Sequence, residues 1–252
     1  MLPRGLSRHT PYLIAAVLGI LLAVLATLQY RWIGQVSEME RHRRQAGLRA
    51  LGIRFAEDFD REMTRAWLHF APDPQEVGEG DDGARERAAR QWESWKEEAT
   101  YPGLVRDVFY LYRNAEGGFG VEVLRPGARE FEAVARPEEL ASLHRRLRHG
   151  WDHSRAPVVA DIPALLVPVR WPNPRERFPG GILIVRLDLR VIAGEILPEL
   201  YERYFADSEY SVAVVPAREP GPVIYQSDPG ASPAALRSGG DASLPMFGMR
   251  PL

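Results

Sequence analysis

Apolar and polar positions divide the chain into segments of different period. From Pro11 to Tyr30 it reads PYLIAAVLGILLAVLATLQY, with no charged side chain. As a helix rising about 1.5 Å per residue, that run matches the roughly 30 Å hydrocarbon core of a bilayer. Tyr12 at one end and Tyr30 with Trp32 at the other suit the headgroup boundary. The pattern predicts a transmembrane helix over 11–30 behind a cytoplasmic tail, 1–10. The run exceeds the roughly 7–15 apolar residues of a cleaved signal, so it reads as a retained anchor. From Arg31 to Phe70 there is no proline, and Leu48, Leu51, Phe55, Phe59, Met63, Ala66 and Phe70 recur at helical spacing. This predicts an amphipathic juxtamembrane helix over 31–70. Its stripe can pack on its own domain or, as a heptad-like seam of about three repeats, on a second copy.

Residues 71–84 are rich in Pro, Gly and acid and read as a loop, followed by a helix over about 85–99. The period then shortens. LVRDVFYLYR (104–113) and FGVEVLR (119–125) are enriched in β-branched and aromatic residues, and NAEGG between them signals a hairpin. A helix is expected over 137–149, with Pro137 at its start and Glu138 and Glu139 in its first turn. ALLVPVR (164–170) and ILIVRLDL (182–189) form a second strand pair across a proline-rich connection. A helix from about Arg190 is expected to break or kink at Pro198, with a second short helix over 198–205, and 209–217 and 222–228 supply the last strands. The order predicts an α+β fold, one antiparallel sheet flanked by helices, in a domain over 71–230. Residues 231–252 are unpatterned and read as an unstructured end.

Composition narrows the chemistry. The 252 residues carry 32 basic against 34 acidic side chains, which excludes a nucleic-acid binder driven by bulk positive charge. There is no cysteine, so disulfides, thiol nucleophiles and thiolate metal sites are excluded. His144, His149 and His153 with Asp152 and Asp161 invite a metal reading, but Gly150 interrupts their helix and neighbouring arginines repel a cation. No metal site is expected. Neither a GxSxG elbow nor phosphate-loop spacing is present, and no catalytic residue set emerges. One constellation points to a ligand. Tyr110 and Tyr112 alternate on one strand face, Arg170 and Trp171 end another strand, and Trp151 lies between. Together they offer an aromatic wall and a cation for a small carboxylate. The competing reading is ordinary core aromatics with a solvated arginine.

The run LQYRWIGQVSEMER (28–41), RFAEDFDREMTRAW (54–67), YPGLVRDVFYLY (101–112), IPALLVPVR (162–170), GGILIVRLDLRVIAGEILPELYERYF (180–205) and VIYQSDP (223–229) resemble the N-terminal sensor region of bacterial membrane-bound two-component sensor histidine kinases. Leu187–Asp188–Leu189 before a helix is similar to the PAS-like, or Cache-like, extracytoplasmic fold. The resemblance covers most of residues 11–230 and rests on structural phrases.

The resemblance implies an extracytoplasmic sensor on a single-pass inner-membrane protein, likewise placing Arg31 and the RHRR patch (41–44) outside, against the positive-inside count. It implies a homodimeric ligand or stress sensor that controls autophosphorylation and phosphotransfer to a response regulator, a small-molecule ligand being one such stimulus. ATP and Mg belong to the kinase core, of which these residues contain nothing. The chain is expected to be a fragment ending where a second span would begin. The alternative is a free-standing membrane-anchored periplasmic binding or scaffold protein without kinase activity.

Overall fold

The computed structural model describes residues 10–72, 81–114, 118–135, 137–141, 143, 158–159, 162–169, 181–216, 222–230, 232 and 241–247. The chain forms two compact units, residues 1–50 and 51–252.

In the first unit the described residues belong to α1, a helix over Thr10–Phe70 that continues into the second unit. Leu18, Leu21, Leu22, Val24 and Leu25 are exposed on it. Among the described residues no helix is long and apolar enough to cross a membrane. The expected transmembrane helix over 11–30, and with it the single-pass inner-membrane location, is corrected accordingly. The apolar run is no bounded element: it opens a 61-residue helix that goes on through Arg31, Glu38, Glu40, Arg41, Arg43 and Arg44.

The second unit is α+β. Its sheet has six antiparallel strands in the order β3-β2-β1-β6-β5-β4. The long strands are β1 (Val105–Arg113), β2 (Phe119–Leu124), β5 (Ala164–Pro168) and β6 (Gly181–Leu187); β3 (Glu132–Ala133) and β4 (Val158–Val159) are short edges. The hairpin and the second pair fall where the sequence pattern placed them. Strands β5 and β6 are near-continuously apolar because both sheet faces are covered.

On one face Phe109, Leu111, Val121, Val123, Ala164, Leu166, Ile182 and Ile184 form a core with Leu140, Leu143 and Ile162 from the β3–β5 connection. The other face carries Val108, Tyr110 and Tyr112 of the same β1 strand, by alternation. Helix α1 and the following helix α2 (Asp81–Glu98) reach the sheet through specific polar contacts. The buried Trp67 indole donates to the Leu166 carbonyl at 2.8 Å, and Arg87 donates to the Val169 carbonyl at 3.2 Å. Amides of Val169 and Leu187 bond across the β5–β6 pair, so by alternation Leu166 presents its carbonyl to the other side. There, among the described residues, β4 pairs with Ala164 and Leu165. The indole therefore satisfies a carbonyl that this short edge strand does not reach.

The buried row of α1 is Phe55, Ala56, Phe59, Met63, Ala66, Trp67 and Phe70, which confirms the predicted stripe over its last four turns. Leu48 and Leu51 remain half-buried. In α2, Ala84, Arg87, Ala88, Trp92 and Trp95 are buried, and Asp81 and Asp82 at its start with Lys96 at its end suit the helix dipole.

After β6, Asp188 caps a short helical turn, its Oδ1 accepting from the Arg190 amide at 2.8 Å. The second short helix expected from Pro198 is present, and the chain enters it without a gap. A π turn over Ile192–Ile196 runs directly into α3 (Leu197–Phe205), with Pro198 in its first turn. Leu197 bonds back to the Ile192 carbonyl five residues earlier, and this widened turn relieves the clash that proline imposes on an ordinary helix.

Three other expectations change. The strands expected over 209–217 and 222–228 shrink to β7 (Ala213–Val214) and β8 (Tyr225–Gln226), which form a separate two-stranded sheet. Of the helix expected over 137–149, a 3-10 turn at Glu138–Leu140 is described and 144–149 lie outside the described residues. The end read as unstructured includes a stretch, 241–247, packed on α1: Phe247 meets Phe59 edge-on at 4.9 Å, and its amide donates to Asp60.

Two glycines admit the tyrosines of β1. Tyr112 pairs with Gly120 on one side and Gly181 on the other, and the Tyr110 ring lies across Gly181. A Cβ at Gly181 would stand 2.5 Å from the Tyr110 hydroxyl oxygen. Gly181→Ala is therefore expected to cost about 1–3 kcal/mol in urea unfolding. Gly194→Ala, where a Cβ meets nothing within 4 Å, is expected to be neutral or to stabilise by up to about 1 kcal/mol.

Candidate functional site

Two clusters of polar side chains stand out among the described residues. The first is on the α2-facing side of the sheet. Tyr110 and Tyr112, two apart on β1, stack with ring centroids 5.6 Å apart and planes 16° from parallel. The Arg85 guanidinium of α2 sits over both rings, 4.8 Å from Tyr110 and 5.3 Å from Tyr112. It donates through Nε to Glu122 Oε2 at 2.5 Å and through Nη2 to Glu122 Oε1 at 3.1 Å, a two-point contact with the β2 residue paired to Tyr110. A third bond reaches Asp82 Oδ1 at 2.8 Å. Phe131 closes the cluster edge-on against Tyr110. Burial, then the nearby Asp81 carboxylate, pushes the Tyr110 hydroxyl well above the usual tyrosine range.

Of the residues predicted to line a pocket, the structure brings Tyr110 and Tyr112 together; Trp151, Arg170 and Trp171 lie outside the described residues. Beside the two tyrosines the cation is Arg85. The sequence reading missed it and its partner Glu122. Arg85 sits in a helix rich in exposed charge, and only the β1–β2 register places Glu122 under it. The arrangement neutralises a guanidinium on an aromatic floor, and an anionic ligand there must compete with Glu122.

The second cluster joins α1 to α3. Tyr204 donates to Asp58 Oδ2 at 2.5 Å, Arg203 donates to the same oxygen at 3.2 Å, and Arg61 pairs with Oδ1. Arg203 also donates to Glu199 at 2.7 Å, and Tyr101 donates to Glu199 at 2.6 Å. Chiefly through the Tyr204 hydrogen bond, with help from Arg61 and Arg203 against the effect of burial, Asp58 titrates below the usual carboxylate range. Helix α3 follows β6, a strand at the centre of the sheet. The cluster thus ties the sheet to one turn of α1. The helical stripe predicted α1 but not this tie, because Asp58 belongs to an i, i+3 surface pattern until α3 is placed.

Among the described residues no group of three or more His, Asp or Glu side chains is placed to hold a metal ion. The histidines at 144, 149 and 153 lie outside them. Comparison with family models, with curated proteins and with solved structures found no match.

Two predictions follow from the charge geometry. Arg85→Ala leaves the Glu122 carboxylate half-enclosed without its donor and is expected to cost about 2–3 kcal/mol in urea unfolding. Adding Glu122→Gln is expected to recover part of that loss, a positive coupling in the double-mutant cycle. At the second cluster, Tyr204→Phe is expected to cost about 1.5 kcal/mol at pH 7. Because Asp58 is lowered on folding, its contribution is full above its unfolded value near pH 4 and fades as pH falls through the folded one. The stability gap between wild type and Asp58→Asn should therefore shrink between pH 7 and pH 3.

Proposed function

We propose that this chain is the signal-input part of a two-component sensor histidine kinase. The observation that carries the reading is the double membership of α1. Its last four turns supply the buried row of the sheet-bearing unit, while the same helix extends through residues 10–50 of the other. A ligand that favours one arrangement of sheet and α3 changes the energy of α1 through Asp58, and a helix shared by two units carries that bias onward. The chemistry of phosphotransfer, with ATP and Mg, belongs to a kinase core, and the response regulator meets that core. A small carboxylic acid is the proposed stimulus; on the floor of Tyr110 and Tyr112 it would take the place of Glu122 on Arg85. Pairing of two copies through α1 is part of this reading.

The test uses the whole chain. Purified protein is screened against small carboxylic acids by thermal unfolding, and the 252-residue chain is joined ahead of a histidine-kinase core. At about 100 times its Kd a true ligand contributes about 2.7 kcal/mol, a rise in Tm of roughly 5–10 °C. The same ligand is expected to change autophosphorylation of the fusion. Binding without any change in phosphorylation would contradict signal input and leave a binding module.

A further inference from the structure

The segment Ser243–Phe247 is held on α1 by three contacts of different kinds. Gly52 leaves a gap on the helix into which Leu244 inserts: a Cβ at position 52 would stand 2.5 Å from Leu244 Cδ1. Two turns on, Phe247 packs edge-on against the buried Phe59. The Phe247 amide donates to Asp60 Oδ1 at 2.8 Å. Leu244, Met246 and Phe247 are half-buried by this seat, whereas Asp241, Ala242, Ser243 and Pro245 are exposed. Phe247 has φ of 61°, the left-handed region that a residue with a Cβ rarely enters. A residue held in such a conformation is held by its surroundings, and the docked state carries a strain that release removes.

The seat is next to the signalling cluster. Asp58, bound by Tyr204 and Arg203 of α3, and Asp60, bound by the Phe247 amide, are two residues apart on α1. One turn of one helix is thus gripped by α3 and by the C-terminal segment. A shift of that turn by α3 alters the seat of Phe247 on the same turn, and that of Leu244 less than two turns away along the same helix.

We infer that Leu244–Phe247 is a releasable latch on α1, whose docking is coupled to α3 through the turn Asp58–Asp60. Its regulatory role rests on the signal-input reading; its existence as a latch does not. Released, the segment leaves α1; docked, it is held to the turn that α3 also grips. The latch buries few side chains, so its opening should leave the sheet intact.

Hydrogen exchange of the intact chain, read on the 241–247 peptide and on peptides from β1 and β6, tests the latch. Protection at 241–247 is expected in the wild type. In the Leu244→Ala, Phe247→Ala double variant, exchange there should rise at least about tenfold while β1 and β6 stay protected. Asp60→Ala should accelerate it in the same sense, and Tyr204→Phe, acting from α3, by a smaller factor. Unprotected exchange at 241–247 in the wild type, or loss of sheet protection together with it, would overturn the latch. Because the chain has no cysteine, Gly52→Cys with Leu244→Cys gives a single defined crosslink. In the kinase fusion, the crosslink and the double alanine variant should shift autophosphorylation in opposite directions. No shift from either would overturn the regulatory role, while ligand-dependent output of the unmodified fusion judges signal input separately.

Discussion

Burial of the α1 stripe is the interaction on which the rest of the second unit depends. Phe55, Phe59, Met63, Ala66, Trp67 and Phe70 are all nearly inaccessible to solvent. At about 1.5–3 kcal/mol for each large apolar side chain removed from water, this row outweighs any polar contact in the domain. It also decides which polar contacts are possible. With Trp67 seated, its indole reaches the Leu166 carbonyl beyond the reach of β4. With α1 fixed, Asp58 faces α3 and Asp60 faces the C-terminal segment. A helix packed through one face and gripped by charge on its flanks keeps a definite rotation.

Polar groups sort by what encloses them. Around Arg85 the aromatic floor and the Glu122 carboxylate make a partly desolvated pair, where loss of one partner leaves the other exposed to a low dielectric. Around Asp58 the partners are half-exposed, so individual bonds are modest and exchangeable. The first arrangement suits a fixed floor and the second suits a contact that is remade. This difference places recognition near the sheet and relay at α1 and α3 in the proposed reading.

Much of the fold was legible in the residues, and the misses have physical causes. The i, i+3, i+4 stripe located α1 because the helix buries one regular face, and β-branched and aromatic enrichment around a turn signal located β1 and β2. Edges β3 and β4, two residues each, are too short to carry a period. The π turn before Pro198 is a tertiary accommodation of a residue that local rules treat as a breaker. The span expected over 11–30 came from local apolarity and its flanking aromatics; no described helix is long and apolar enough to cross a membrane. Of the candidate site, Tyr110 and Tyr112 were readable from alternation. Arg85 and Glu122 were not, since their meeting depends on how α2 crosses the β1–β2 hairpin. Leu244 and Phe247 gave no pattern because an extended segment docks by two side chains and one amide.

The central claim is that the last four turns of α1 and the sheet unfold as one cooperative unit, so that whatever moves the sheet moves the helix. Native-state hydrogen exchange under increasing denaturant measures this directly. Amides of Phe59, Met63 and Trp67 should exchange through the same global opening as those of Phe109 and Ile184, with equal free energies and equal denaturant dependence. Exchange of the α1 amides through a separate, lower-energy opening, with the sheet still protected, would contradict it.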